Sequence, residues 1–149
     1  MKKWLYIGCL LSMFVGCENI NNMNPVPHVP VNYTLNITSE YPHFTTPGEV
    51  ITVTQKRYFY ESIGYSGLLI WIDMYGNYQA ADLCCPNCLM KKPVEVVDII
   101  FAVCPKCEEK FELSCGYAFP TKGKTKYPLK KYQAIPHNNV SGYTLRIIN

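Results

Sequence analysis

The sequence is short of histidine and of helical periodicity. Only three of its 149 residues are histidine, and His28, His43 and His137 all lie outside the cysteine-rich stretch. A site in that stretch that mixes imidazole and thiolate ligands is therefore excluded. No segment repeats apolar residues at helical spacing, whereas Tyr and Pro are abundant, with twelve and eleven residues. This composition favours strands and turns, and it predicts an all-β fold.

Long hydrophobic runs are missing as well, because the apolar stretch at residues 4–17 is too short to span a bilayer. It follows two lysines and ends in F-V-G-C at Cys17, which resembles a bacterial lipobox, although Leu usually stands where this chain has Phe14. The pattern predicts a signal peptide over residues 1–16 and a lipidated Cys17, hence a membrane-anchored lipoprotein of the bacterial cell envelope. The alternatives are an ordinary cleaved signal, or a short anchor with an unmodified cysteine.

The chain also carries little excess charge. The formal net charge is +3, and loss of the two lysines in the predicted signal peptide leaves 12 basic and 11 acidic residues. A nearly neutral exported chain lacks the basic surface that nucleic acid requires, so nucleic acid is excluded as a partner. After the signal, residues 17–30 form a tether rich in Pro and Asn that holds the lipidated cysteine, and residues 31–149 form one domain.

Cysteine, by contrast, is plentiful, with eight residues. Four of them form two C-P-x-C units, and fifteen residues separate the units, which is the spacing of a four-thiolate metal site. A C-P-x-C turn is tight enough to face both sulfurs toward one ion, and two such turns complete a tetrahedron. The predicted metal subdomain covers about residues 82–116, and its ligands are Cys85, Cys88, Cys104 and Cys107.

Strands are predicted wherever apolar and polar residues alternate. Residues 31–37 alternate in this way, which predicts a half-buried antiparallel strand. Residues 68–72 are Leu-Leu-Ile-Trp-Ile, an apolar run that predicts a central strand. Further strands are expected at residues 50–54, 56–60, 78–82, 94–97, 98–103, 110–113 and 143–148. A loop rich in Gly and Pro is expected after residue 115, and a hairpin turn at residues 136–142.

The motifs in the second half follow a fixed order: C-P-N at Cys85, C-P-K-C at Cys104, F-E-L at Phe111 and P-L-K-K-Y at Pro128. In this order and spacing the chain from Asp82 onward resembles the Rieske iron–sulfur fold, and in particular the short Rieske-like lipoproteins of some bacteria. The resemblance implies an antiparallel β-sandwich or barrel base that carries a small cysteine-rich subdomain of rubredoxin-like or zinc-ribbon-like layout. It also implies electron transfer to a redox partner.

The chain departs from the Rieske pattern at the ligands. Cys85 and Cys104 match the two cysteine ligands of the family, but Asn87 and Cys107 stand where the family has histidine. A standard Rieske cluster with two Cys and two His ligands is therefore not expected. Because both histidine ligands of the family are absent, the remaining candidate ligands are all thiolates.

Three states of the four cysteines remain open. They hold one Zn²⁺, or iron as a rubredoxin-like ion or a 2Fe-2S cluster, or they form disulfides as exported cysteines commonly do. The signal has no twin-arginine pair, so the chain crosses the membrane unfolded and a preassembled cluster is disfavoured. Cys84 and Cys115 are left over, either as a disulfide with each other or as two buried thiols.

The function predicted from these residues is that of a membrane-anchored Rieske-like lipoprotein with a four-cysteine metal site. With iron bound, the protein is expected to be an electron-transfer module, and with zinc bound, a zinc-stabilised interaction domain. The expected partners are the membrane and a redox or envelope protein. The alternatives are a metal-free binding lipoprotein held by disulfides and a thiol–disulfide oxidoreductase. Enzymatic activity is not expected, because no helix is predicted to lower the pKa of the thiols of Cys104 and Cys107.

Overall fold

The structure is a computed structural model that describes residues 23–140 and 142–149. The predicted signal peptide and Cys17 lie outside the described residues. Within them the chain is almost entirely β, which confirms the predicted fold class. In chain order the elements are β1 (Val31–Asn36), α1 (Ile37–Glu40), β2 (Val50–Val53), β3 (Ser62–Ile63), β4 (Leu68–Ile72), β5 (Tyr78–Asp82), β6 (Glu95–Val97), β7 (Phe101–Val103), β8 (Lys110–Glu112), β9 (Phe119–Lys122), β10 (Lys131–Asn139) and β11 (Gly142–Ile148).

The strands form two antiparallel sheets. The larger sheet has the order β2-β4-β5-β10-β11-β1-β3 and curves into a nearly closed barrel. The smaller sheet has the order β6-β7-β8-β9 and contains the segment between and after the two C-P-x-C units. The predicted combination of a barrel base and a small cysteine-rich unit is therefore present in the described part of the chain.

The alternating pattern of β1 follows from its place in the barrel wall. Val31, Tyr33 and Leu35 are buried in the barrel core, whereas Asn32 and Thr34 are exposed on the outer face. The strand pairs with β11 on one side and with β3 on the other. It ends one residue before the predicted limit, because the Asn36 side chain accepts a hydrogen bond from Ser39 N (3.1 Å) and caps the short helix α1.

Strand β4 is apolar on both faces because it separates two cores. Leu68, Ile70 and Ile72 pack inside the barrel. Leu69 and Trp71 point the other way and pack against the cysteine-rich unit. All five residues are buried, which confirms the central strand predicted from the apolar run. The strand therefore joins the base to the candidate site.

Three local predictions were wrong. Residues 56–60 form a turn and not a strand, because hydrogen bonds from Arg57 to Glu61 close this segment on itself. The loop expected after residue 115 contains β9, which pairs with β8. The hairpin turn is also shorter than predicted, since β10 runs to Asn139 and β11 starts at Gly142.

The end of the predicted tether packs against the domain. Val26 is 2% exposed, and its carbonyl accepts a hydrogen bond from the Lys130 ammonium (2.9 Å). The Asn24 side chain donates to the carbonyl of Pro128 at 2.8 Å. These residues therefore belong to the folded surface. Among the described residues, no helix has both the length and the apolar character needed to cross a membrane.

Candidate metal centre

Each C-P-x-C unit is a tight turn of the same shape. In the first turn the amide of Leu89 donates to the carbonyl of Cys85, and in the second the amide of Glu108 donates to the carbonyl of Cys104, both at 2.9 Å. Leu89 and Glu108 have φ angles of 52° and 58°, in the left-handed region. This conformation has a free-energy cost of about 1–2 kcal/mol for a residue with a side chain. The surrounding structure must therefore hold both turns in place, as is common at functional sites.

The two turns bring the four predicted ligands together. Their sulfur atoms all lie within 4.8 Å of one another, and they belong to Cys85, Cys88, Cys104 and Cys107. Two of the contacts join the two turns, with 3.7 Å from Cys85 Sγ to Cys107 Sγ and 3.9 Å from Cys88 Sγ to Cys104 Sγ. Zn–S bonds of about 2.3 Å in a tetrahedron place the sulfurs ~3.8 Å apart. The group is therefore close enough to hold one metal ion.

Burial and hydrogen bonding shift the pKa values of three of the four thiols. Burial is the main cause that raises the pKa of Cys85 and raises that of Cys88 to about 12. Burial also acts upward on the pKa of Cys107, but hydrogen bonds from the Cys88 thiol and the Glu109 amide outweigh it and lower the pKa to about 7. Because the four groups are so close, further negative charge on them requires a positive ion at the centre, whose binding releases the remaining protons.

A buried carboxylate at the end of β5 holds the first turn in place. Asp82 is fully buried and accepts hydrogen bonds from the amides of Tyr65 (2.7 Å), Ser66 (3.0 Å) and Cys84 (2.8 Å). It also accepts one from the Tyr132 hydroxyl at 2.7 Å. Asp82 thus connects the barrel strands β5 and β10 to the backbone immediately before the first ligand.

The second turn has a similar support. The amide of Cys104 donates to the carbonyl of Glu109 at 2.9 Å, and the Glu109 carboxylate accepts from the amides of Lys124 and Thr125. Glu109 is 1% exposed. Gly123 allows this packing, because a Cβ at this position would lie 1.8 Å from the carboxylate. The loop after β9 is therefore held against the second turn.

Asp82 and Glu109 were missed by the sequence analysis. A signal existed for Asp82, since it is an acidic residue at the end of a predicted strand, three positions before the first C-P-x-C unit. Glu109 gave no such signal, because it stands beside Glu108 in a polar stretch. Only the packing of the distant loop at Gly123 distinguishes the buried glutamate from the exposed one.

The two leftover cysteines lie in different surroundings. Cys84 is buried, its thiol contacts the carbonyls of Cys85 and Met90 at 3.6 Å, and burial raises its pKa to about 11. Cys115 is partly exposed, and its thiol donates to the carbonyl of Tyr117 at 3.2 Å. All six cysteines of the described part of the chain are free thiols. The candidate disulfide between Cys84 and Cys115 is therefore not formed in this structure.

The fold and the site together define an all-β protein with a half-buried four-cysteine group that is close enough to hold a metal ion. Comparison of the chain with protein-family models, with curated proteins and with solved structures gives no match in any of the three.

Proposed function

We propose that the four thiolates hold a single metal ion, and that this ion stabilises the cysteine-rich unit of a membrane-anchored lipoprotein. The observation that carries the proposal is the mutual 4.8 Å limit on the four sulfurs. A 2Fe-2S cluster distributes its thiolates over two irons and so spreads them further than one ion does. The geometry therefore favours one ion over a two-iron cluster.

Zinc is the metal that suits this arrangement best. Four protein thiolates fill a tetrahedral site and leave no position for water or substrate, which is the pattern of a structural zinc site. Two of the sulfurs belong to buried residues, Cys85 and Cys104, that pack in the second core with Phe111 and Leu113. A bound ion thus contributes directly to the folding energy of this unit.

A single iron ion is the second candidate, and the exposure of the site favours it. Cys88 and Cys107 are partly exposed, and the neighbouring Leu89 and Met90 are 40% and 42% exposed. An ion held by these thiolates lies near the surface, within reach of a redox partner. In this form the domain is an electron-transfer module, as the resemblance to Rieske proteins implies.

Metal analysis of the full chain, purified without chelator, distinguishes the two candidates. Zinc gives one ion per chain and a colourless protein, whereas iron gives one ion per chain and visible absorption bands. The proposal is rejected if the protein contains no stoichiometric metal and its thiols react with an alkylating reagent only after reduction. That result supports disulfides and a metal-free binding lipoprotein.

The lipid anchor is a separate part of the proposal. The uncharged stretch at residues 4–17, the preceding lysines and the small residue before Cys17 support it. In a bacterial host, labelling with a radioactive fatty acid should mark the wild-type protein and spare the Cys17→Ser variant. Equal labelling of both proteins would contradict lipidation at this cysteine. The relation to the Rieske family is proposed on the motif order alone.

A further inference from the structure

The turn at residues 55–61 is built around one arginine. The Arg57 guanidinium donates hydrogen bonds to the Glu40 carboxylate and to the backbone carbonyl of Thr34. It also donates to the Glu61 carboxylate at 2.8 Å. It also lies 4.5 Å from the ring centroid of Tyr33. Glu61 is 4% exposed and accepts from the amides of Arg57 and Tyr58. The turn is therefore preorganised on the outer face of the barrel.

This rigid turn presents three aromatic side chains to solvent. Tyr58, Phe59 and Tyr60 are 55%, 97% and 61% exposed. The rings of Tyr58 and Tyr60 are nearly parallel, with centroids 5.3 Å apart, and Phe59 packs edge-on against Tyr60. A contiguous exposed apolar surface on a soluble domain commonly marks a binding site. Because the turn is held in one shape, binding here loses little conformational entropy.

A cleft of about 220 Å³ lies between this aromatic surface and strand β1. Its aromatic side is formed by Tyr58 and Tyr60, and its polar side includes Asn32, Thr34 and Glu40. Asn32 and Thr34 project from the exposed face of the strand. The volume is below the roughly 300–1,000 Å³ of sites for drug-sized ligands, so the cleft fits a single ring.

The charges of the cleft restrict the class of ligand. Among the described residues that line the cleft, Arg57 is basic while Glu40 and Glu61 are acidic, so this lining carries one excess negative charge. Phosphate groups and anionic headgroups are therefore disfavoured. The cleft suits a neutral ligand with two kinds of surface. An apolar face of the ligand contacts the tyrosine rings, and its hydroxyl groups form hydrogen bonds with the amide, hydroxyl and carboxylate side chains. A pyranose ring has these properties.

From this geometry we infer that the cleft beside Tyr58 and Tyr60 binds a neutral carbohydrate. Phe59 extends the aromatic surface beyond the cleft, so an oligosaccharide makes more contact than a monosaccharide. The inference does not depend on the proposed metal function, because its residues lie on the turn, β1 and α1, none of which contributes a candidate metal ligand.

The test is saturation-transfer NMR on the full chain in detergent, with neutral probes: glucose, galactose, mannose, xylose, N-acetylglucosamine and their β-1,4-linked disaccharides. We expect saturation of the ring protons of at least one sugar, with tighter binding of the disaccharide. Tyr60→Leu and Tyr58→Leu should each weaken binding at least tenfold, because they keep an apolar side chain but remove the flat ring. Circular dichroism confirms that each variant is folded.

The matched control is Tyr75→Leu, which changes a tyrosine that is 83% exposed on a different turn and should leave binding unchanged. Asn32→Ala tests the polar wall and should also weaken binding. The inference is overturned if no sugar of the panel receives saturation, if Tyr75→Leu weakens binding as much as Tyr60→Leu, or if adenosine monophosphate binds more tightly than every sugar.

Discussion

At the scale of single residues, the four candidate ligand cysteines should not be interchangeable with Cys84 and Cys115. Cys104→Ser removes one thiolate and leaves three, so we expect the metal content to fall to below a tenth of one ion per chain. Cys115→Ser is the matched control, because its thiol donates to the nearby carbonyl of Tyr117 and does not belong to the four-sulfur group of the described residues. Full metal content in Cys104→Ser would exclude the assignment.

Gly64 offers a second prediction at this scale. Its φ angle is 76°, and a Cβ would lie 2.5 Å from Asp82 Oδ2 and 2.6 Å from the Tyr132 hydroxyl. Gly64→Ala should therefore destabilise the protein by about 3 kcal/mol, from both backbone strain and displacement of the buried carboxylate. Chemical denaturation measures this free energy of unfolding.

The control for that variant is Gly76→Ala. Gly76 has a similar φ of 83°, but, apart from its chain neighbours, no atom of the described residues lies within 4 Å of the position that its Cβ would take. The free energy of unfolding of this variant should fall by only about 1 kcal/mol, because the left-handed backbone is the sole source of strain. An equal loss in the two variants would show that contact with Asp82 contributes nothing to the strain at Gly64.

The ligands could be read from the sequence at this scale, but their supports could not. The spacing of the C-P-x-C units is local, and a tight turn fixes where its own sulfurs point. Asp82 and Glu109 act through residues far along the chain, since their partners include Tyr132 and Lys124. A buried carboxylate is recognisable only when the atoms that surround it are known.

At the scale of elements, substitutions on the two faces of β4 should affect two different cores. Leu69→Ala removes apolar contact with the cysteine-rich unit, and Ile70→Ala removes contact inside the barrel. Each truncation should cost about 2–5 kcal/mol. Hydrogen exchange separates them: the first should accelerate exchange in β7 and β8, and the second in β1 and β11. The same exchange pattern in both variants would contradict the two-core description.

The strand was predictable as an element because five consecutive apolar residues have no polar face to expose. Its exact neighbours were not. The prediction of a strand at residues 56–60 was wrong, because three consecutive aromatic residues favour β structure locally, whereas the ion pairs of Arg57 with Glu40 and Glu61 close the turn. The pair with Glu40 joins two separate segments, and this tertiary contact overrode the local preference.

At the scale of the whole molecule, removal of the metal should loosen one sheet and spare the other. A strong chelator should increase hydrogen exchange across residues 84–116, while β1, β10 and β11 keep their protection. If the bound ion contributes about 3 kcal/mol, its loss lowers the unfolding midpoint by roughly 10 °C for a chain of this size. A midpoint that responds to reductant and not to chelator would indicate disulfides instead.

The sequence by itself determined the all-β class, the central strand and the four candidate ligands, because alternation, apolar runs and cysteine spacing are properties of neighbouring residues. Tertiary structure decided that the four sulfurs converge, that Asp82 and Glu109 fix the two turns, and that an aromatic turn lies beside β1. These features require segments that are distant along the chain to pack together. Packing depends on the shape and burial of all the elements at once, which no local pattern contains.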